Sequence, residues 1–246
     1  MDKKPVLVAK DLSIGYSLSR SKKEKVGGKI CFELYKGEMA ALLGRNGAGK
    51  STLIKTLCGF IEPLGGTIEL FGRRLEDIPS GELSRLVGVV LTEKEPIGGI
   101  TVRELALLGR YPHTGFFANL GKKDYEIVEK ALQDAGIAEK ADCHISQISD
   151  GERQKAFVAK ALAQECPLII LDEPTAFLDV ASRRELMALL SGLARREGKT
   201  ILISSHDLEL SLRFSDRLIL QQKGTPLMCG TPSEMESSGT IEKFFA

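Results

Sequence analysis

The chain has 246 residues, enough to bury the core of one large domain with or without a sub-domain. Its 34 Lys+Arg against 33 Asp+Glu leave a formal charge of +1, which supplies no long-range field for a polyanionic partner. A hydrophobic share of 43% suits a soluble globular protein, and no apolar run approaches the roughly 20 residues of a membrane span.

At the N-terminus, "MDKKPVLVAKD" returns to charge too soon for the apolar region of a signal peptide. The chain is therefore expected to stay in the cytosol, with any membrane contact peripheral. The five cysteines, Cys31, Cys58, Cys143, Cys166 and Cys229, are odd in number and never spaced C-x-x-C. That pattern argues against a disulfide framework and against zinc, and predicts reduced, mostly buried thiols.

In chain order, "VLVAKDLSIGY" and "ICFELYKGEMAALLG" alternate like short strands. Between them "SLSRSKKEKVGGK" has no periodicity and reads as a solvated loop. The strand "MAALLG" leads into a glycine loop and a helix, "KSTLIKTLCGF", with Leu53, Ile54 and Leu57 on one face. The hairpin "EPLGGTIELFGRRL" follows.

From about residue 93 to 165 the pattern is helical. "TVRELALLGR" opens on a capping box from Thr101 to Glu104. "KKDYEIVEKALQDAG" puts Ile127, Val128, Ala131, Leu132 and Ala135 on one face, with Gly136 as the stop. A long helix then starts at "SDGE". Strands and helices alternate afterwards: "LIILDEP", a helix from Ser182, "TILISSHD", a helix from Asp207, "DRLILQQ", and a last helix opening at "TPSEM". Continuous apolar strands alternating with helices predict a parallel sheet covered on both faces.

Residues 44–51, "GRNGAGKS", match G-x-x-x-x-G-K-[ST] between a strand and a helix. Gly44, Gly47 and Gly49 let the backbone turn its N–H groups toward phosphate oxygens. Lys50 reaches the β- and γ-phosphates, and Ser51 offers its hydroxyl to Mg²⁺. Arg45, Asn46 and Ala48 complete the loop, Thr52 follows it, and all are candidate nucleotide contacts. The helix dipole favours the anion.

In "LIILDEP", a buried strand brings Asp172 out at its carboxyl end, where ligands bind open α/β sheets. Asp172 is expected to hold the Mg²⁺ shell. Glu173 can face the γ-phosphate and take a proton from the attacking water. His206 ends the strand "LISSHD" on the same edge, placed to contact the terminal phosphate and stabilise developing charge.

The turn "SDGE" admits two readings. Ser149 and Glu152 have the spacing of a capping box, which needs no ligand, and "SRRE" from Ser182 has the same spacing. Gly151 and the long helix behind it also make an anion-binding helix start.

Taken in order and at these spacings, "GRNGAGKS", "ISDGERQ", "LIILDEPTAFLD" and "SSHD" resemble the ATPase subunit of an ABC transporter, over essentially the whole chain. The resemblance implies one α/β domain over 1–246 with the P-loop NTPase fold of ABC ATPases. In that fold the core sheet is mostly parallel, an antiparallel β part lies at the N-terminus, and a helical subdomain is inserted at 93–165.

The resemblance further implies ATP and Mg²⁺ as cofactors and a head-to-tail homodimer. In that dimer Ser149, Gly151 and Glu152 of one copy close over the ATP of the other. Tyr16 resembles the aromatic that stacks on adenine, and Asp179 resembles the loop that communicates across the dimer. Two departures stand out. Asp150 replaces a glycine of the usual Leu-Ser-Gly-Gly-Gln, and its carboxylate is expected to point away from the nucleotide. Thr92, with Glu93 beside it, stands where the family places a metal-contacting Gln, and Thr92 or Glu93 is the candidate third metal contact.

"ITVRELALLGRYPHTGFF" is similar to importers of iron–siderophore complexes, haem and cobalamin. That similarity implies two copies of this chain beneath membrane permease subunits, on the cytoplasmic face, fed by an extracytoplasmic binding protein. The competing reading is a soluble ABC ATPase acting on nucleic acid or ribosomes. The short segment between phosphate loop and signature and the near-zero net charge argue against it. A small P-loop kinase would leave the signature helix unexplained.

Overall fold

The computed structural model describes residues 4–17, 23–91, 99–114 and 119–245. An N-terminal sheet is built from β1 (Pro5–Ser17) and β2 (Lys23–Tyr35). The chain then runs through β3 (Met39–Leu43) and α1 (Lys50–Leu57) before returning to that sheet with β4 (Gly65–Leu70) and β5 (Arg73–Arg74). All pairings within it are antiparallel, in the order β2-β1-β4-β5.

Next come α2 (Ser80–Leu86), β6 (Val87–Val90), α3 (Val102–Leu108), α4 (Lys122–Asp134) and α5 (Asp150–Ala163). Then β7 (Leu168–Leu171), α6 (Val180–Glu197), β8 (Thr200–Ser205), α7 (Leu208–Phe214) and β9 (Arg217–Leu220) alternate. The short β10 (Met228–Gly230), α8 (Pro232–Ser237) and α9 (Thr240–Phe245) close the fold. The second sheet has the order β10-β9-β3-β8-β7-β6. It is parallel except for β10, which pairs antiparallel with β9.

The buried strand β3 separates two apolar cores by its alternation. Met39, Ala41 and Leu43 pack into a core with α3, α4, α5 and α6, including Leu105, Leu132, Leu162 and Leu190. Ala40 and Leu42 face the other way, into a core with α1 and the N-terminal sheet, including Leu53, Ile54, Leu57 and Leu70. Each fully buried Leu or Ile there stabilises the fold by about 1.5–3 kcal/mol, so Leu57→Ala would cost about 2–5 kcal/mol. These two cores fix the sheet edge at which β3, β8 and β7 end side by side.

Three sequence expectations need correction. The segment read as a loop between the first strands is strand from Lys23 onward. Its pairing with β1 continues to Ser17↔Lys23 through several register shifts, so backbone ladder bonds hold a stretch that lacks apolar alternation. The helix expected from Ser182 starts at Val180. Asp179 caps it, its carboxylate accepting from the Ser182 N–H at 2.9 Å, so "SRRE" is not the cap. Of the free cysteines, Cys58 and Cys166 are buried, whereas Cys31 and Cys229 are exposed.

Capping boxes form at Thr101/Glu104 and Ser149/Glu152, and Gly136 lies just past α4 with φ 65°. The face of α4 that packs inward carries Val128, Ala131 and Leu132. Among the described residues, no helix is long and apolar enough to cross a membrane.

Candidate nucleotide site

The phosphate loop follows β3 and ends at the N-terminus of α1. Gly44 is required at its start because a Cβ there would lie 2.3 Å from the carbonyl oxygen of Gln221. Gln221, one residue beyond β9, also donates its amide Nε2–H to the Ala48 carbonyl at 2.9 Å. Gly49, at φ 94°, is the N-cap of α1, which has neither a capping side chain nor an acidic residue in its first turn. The backbone N–H groups of that turn and the helix dipole therefore face any bound anion without a competing carboxylate.

Lys50 is buried, and its Nζ donates to the Gly44 carbonyl at 2.9 Å. The same ammonium lies 3.4 Å from His206 Nδ1 and 3.6 Å from Glu173 Oε1. Burial pulls the Lys50 pKa below its ordinary 10.5, while Glu173 and Asp172 oppose that shift. Beside the loop is a cleft of about 440 Å³ lined by Asn46, Gly47, Gly49, Lys50, Ser51, Thr52 and Glu173. Glu24, Lys25 and Val26 of β2 and Lys223 complete its wall. Arg45 is exposed and Ala48 is buried in the loop. Tyr16, the last residue but one of β1, has its hydroxyl 3.2 Å from Thr52 Oγ1, which fixes its ring beside the first turn of α1.

The two carboxylates lie on the next strand but one from β3. Asp172 is buried at the end of β7 and accepts a hydrogen bond at 2.6 Å from Ser204 Oγ, on the intervening β8. The Ser204 hydroxyl in turn accepts from the Glu173 N–H at 2.7 Å. Glu173 has φ 47°, a sparsely populated region for a residue with a side chain. Ser204 thus helps hold a backbone conformation that turns the Glu173 carboxylate toward the loop. His206 Nε2 lies 2.5 Å from Glu173 Oε1. Lys50, Glu173 and His206 are therefore brought together, with Asp172 and Ser51 flanking them. Burial, with Asp172 nearby, pushes the Cys58 thiol up to about 12, so it stays protonated and inert behind the site.

The expected signature residues are elsewhere. Ser149 caps α5, its hydroxyl accepting from the Glu152 N–H at 3.2 Å. The Glu152 carboxylate accepts from the Ser149 N–H at 2.9 Å. That hydrogen bond is the main cause holding Glu152 below the usual carboxylate range. Asp150 Oδ1 pairs with Arg153 at 3.0 Å. A Cβ on Gly151 would meet Ser182 Oγ at 3.1 Å, so the starts of α5 and α6 are neighbours. Ser149, Gly151, Glu152 and Asp179 thus form a second surface outside the cleft that holds Lys50. Thr92 and Glu93 lie outside the described residues.

Sequence reasoning missed Ser204, Gln221 and Val26. A hydroxyl inside the apolar strand "TILISS" and an amide ending "LILQ" were the signals for the first two, since buried polar groups need partners. Val26 had none, lying within the segment read as a loop.

The family model described as "ABC transporter" matches residues 28–176. The chain belongs to the ABC transporter family. A model for an AAA domain (putative AbiEii toxin, Type IV TA system) matches only residues 140–213. Among similar curated proteins, the ferric enterobactin transport ATP-binding protein FepC of Escherichia coli is 36% identical over 97% of this chain and 86% of its own length. The iron(3+)-hydroxamate import ATP-binding protein FhuC of Bacillus subtilis is 36% identical over 85% of this chain and 78% of its own. A solved structure described as "an inward-facing conformation of a putative metal-chelate type ABC transporter" aligns with a TM-score of 0.84 and 28% identity, covering 98% of this chain and 89% of that one.

As a member of this ATPase family the chain binds and hydrolyses ATP. Its donor set suits Mg²⁺: Ser51, which lines the cleft, and Asp172, buried at the end of β7, present a hydroxyl and a carboxylate, both hard oxygen donors.

Proposed function

We propose that this chain is the ATP-hydrolysing subunit of an importer for a chelated metal, with a ferric siderophore as cargo. It would act from the cytoplasmic face of the membrane through separate permease subunits. The observation that carries the ATP-driven part is the convergence of Lys50, Glu173 and His206 at the carboxyl edge of β3, β7 and β8. The cargo is supported by similarity over 97% and 85% of this chain to relatives named for ferric enterobactin and iron(3+)-hydroxamate.

The loop N–H groups and Lys50 bind the β- and γ-phosphates, and Tyr16 offers its ring to the base. Ser51 and Asp172 would hold Mg²⁺, which would supply positive charge to offset that of the phosphates. Glu173 orients the attacking water and accepts its proton. Lys50 and His206 stabilise the charge that develops on the departing phosphoryl group.

The helical region of α3, α4 and α5 presents Ser149, Gly151 and Glu152 to the nucleotide of a second copy, with Asp179 beside them. One chain then holds half of two composite sites. Closure of the dimer on ATP and its reopening after hydrolysis would drive the permease, which receives substrate from an extracytoplasmic binding protein.

The test is growth of a deletion strain on ferric hydroxamate, ferric catecholate, haem or cobalamin-dependent media. The expected result is loss of growth on a ferric siderophore with rescue by free iron. Unchanged growth on both siderophores would overturn the cargo, and a defect confined to haem or cobalamin would reassign it.

A further inference from the structure

We infer that Arg153 and Lys140 are positioning residues of the signature turn, each neutralising one carboxylate so that the turn can receive the phosphates of a second copy's ATP. The inference rests on the reading of Ser149–Glu152 as a contact made in trans.

The first turn of α5 carries two acidic residues, Asp150 and Glu152. A helix N-terminus offers an anion the equivalent of about half a positive charge. Two free carboxylates in that turn would outweigh it and repel a nucleotide. Each has its own cation instead. Asp150 Oδ1 is bound by Arg153 at 3.0 Å from one turn along the same helix. Glu152 splits its oxygens: Oε2 accepts from the Ser149 N–H at 2.9 Å and from its hydroxyl at 3.0 Å, while Oε1 lies 3.5 Å from Lys140 Nζ. Lys155, one turn further on, is engaged elsewhere, pairing with Glu185 of α6 at 3.1 Å.

All four side chains are partly exposed, with 52% of Asp150 and 37% of Arg153 accessible. Exposed pairs of this kind add little to folding stability. Their weight increases when a highly charged ligand and a second protein surface displace water from the turn. The Asp150–Arg153 pair also points the carboxylate along the helix, back over its own chain. The acidic residue that replaces glycine in this signature is thus tolerated because Arg153 accompanies it.

The test uses the full chain with Glu173→Gln, to stall hydrolysis, and follows ATP- and Mg²⁺-dependent dimerisation by size exclusion with light scattering. In that background Arg153→Ala should raise the protein concentration for half-dimerisation about tenfold, the scale of a close interfacial charge. Lys140→Ala should act in the same direction, Arg153→Lys should stay near the parent, and Asp150→Gly with Arg153→Ala should restore dimerisation. Binding of a fluorescent ATP analogue to the monomer and the thermal midpoint should not move. Dimerisation of Arg153→Ala equal to the parent overturns the inference. So does failure of the double variant to restore it, or a fall in thermal midpoint that accounts for the loss. If the Glu173→Gln parent itself never dimerises with ATP, the reading in trans fails and the inference falls with it.

Discussion

Ser204 Oγ donates to Asp172 Oδ1 at 2.6 Å from the neighbouring strand and accepts the N–H of Glu173 at 2.7 Å. One buried hydroxyl therefore connects the Asp172 carboxylate to the backbone of Glu173, the two residues proposed to serve metal and water. Ser204→Ala removes the acceptor of the half-buried Glu173 N–H and one donor to the buried Asp172 carboxylate. A destabilisation of about 1–3 kcal/mol is expected by thermal or urea unfolding. A fall of about tenfold to a hundredfold in kcat, with KM for ATP little changed, should accompany it as Glu173 loses its orientation. Wild-type turnover in the alanine variant would remove Ser204 from the account.

The 2.5 Å contact between His206 Nε2 and Glu173 Oε1 predicts that the two act as one unit. Glu173→Gln should lower kcat by about 10²–10⁴ while ATP binding persists, and His206→Ala should fall in the same range. The double variant should be no worse than Glu173→Gln alone, because residues acting as a unit are strongly non-additive. Multiplicative losses in single-turnover assays would mean independent roles.

Helix starts contribute to the acid sensitivity of the fold. Glu104, Glu152, Asp179 and Glu234 are each held below the usual carboxylate range, chiefly by the backbone N–H groups they accept at a cap. Their lowered folded values mean a contribution fully present above the unfolded pKa and lost as pH falls through the folded one. Stability measured by urea unfolding should thus decline below the ordinary carboxylate range. The decline should flatten in a variant with Glu104→Gln, Glu152→Gln and Glu234→Gln. An unchanged acid slope would contradict this assignment.

The phosphate loop was legible in the sequence because backbone demands restrict its residue types. Gly44 has Gln221 O against the position of a Cβ, and Lys50 must fold back on the Gly44 carbonyl. Asp172, Glu173 and His206 were legible because apolar strands bring their last residues to one edge. What escaped depends on contacts between distant segments. Ser204 acquires its meaning from β7, and Gln221 from the loop after β3. The start of β2 escaped because its ladder with β1, rather than its side chains, holds it as strand. At α6 two residues had capping chemistry, and Asp179 caps while Ser182 supplies the N–H.

The most direct test of the central claim follows from the two separate surfaces, the cleft around Lys50 and the turn at Ser149. Specific ATPase activity of the full chain should be measured against protein concentration, with the oligomeric state recorded at each point. The account predicts specific activity that falls on dilution in step with the dimer and a monomer that binds ATP but scarcely hydrolyses it. Specific activity that stays constant where only monomer is present would contradict it.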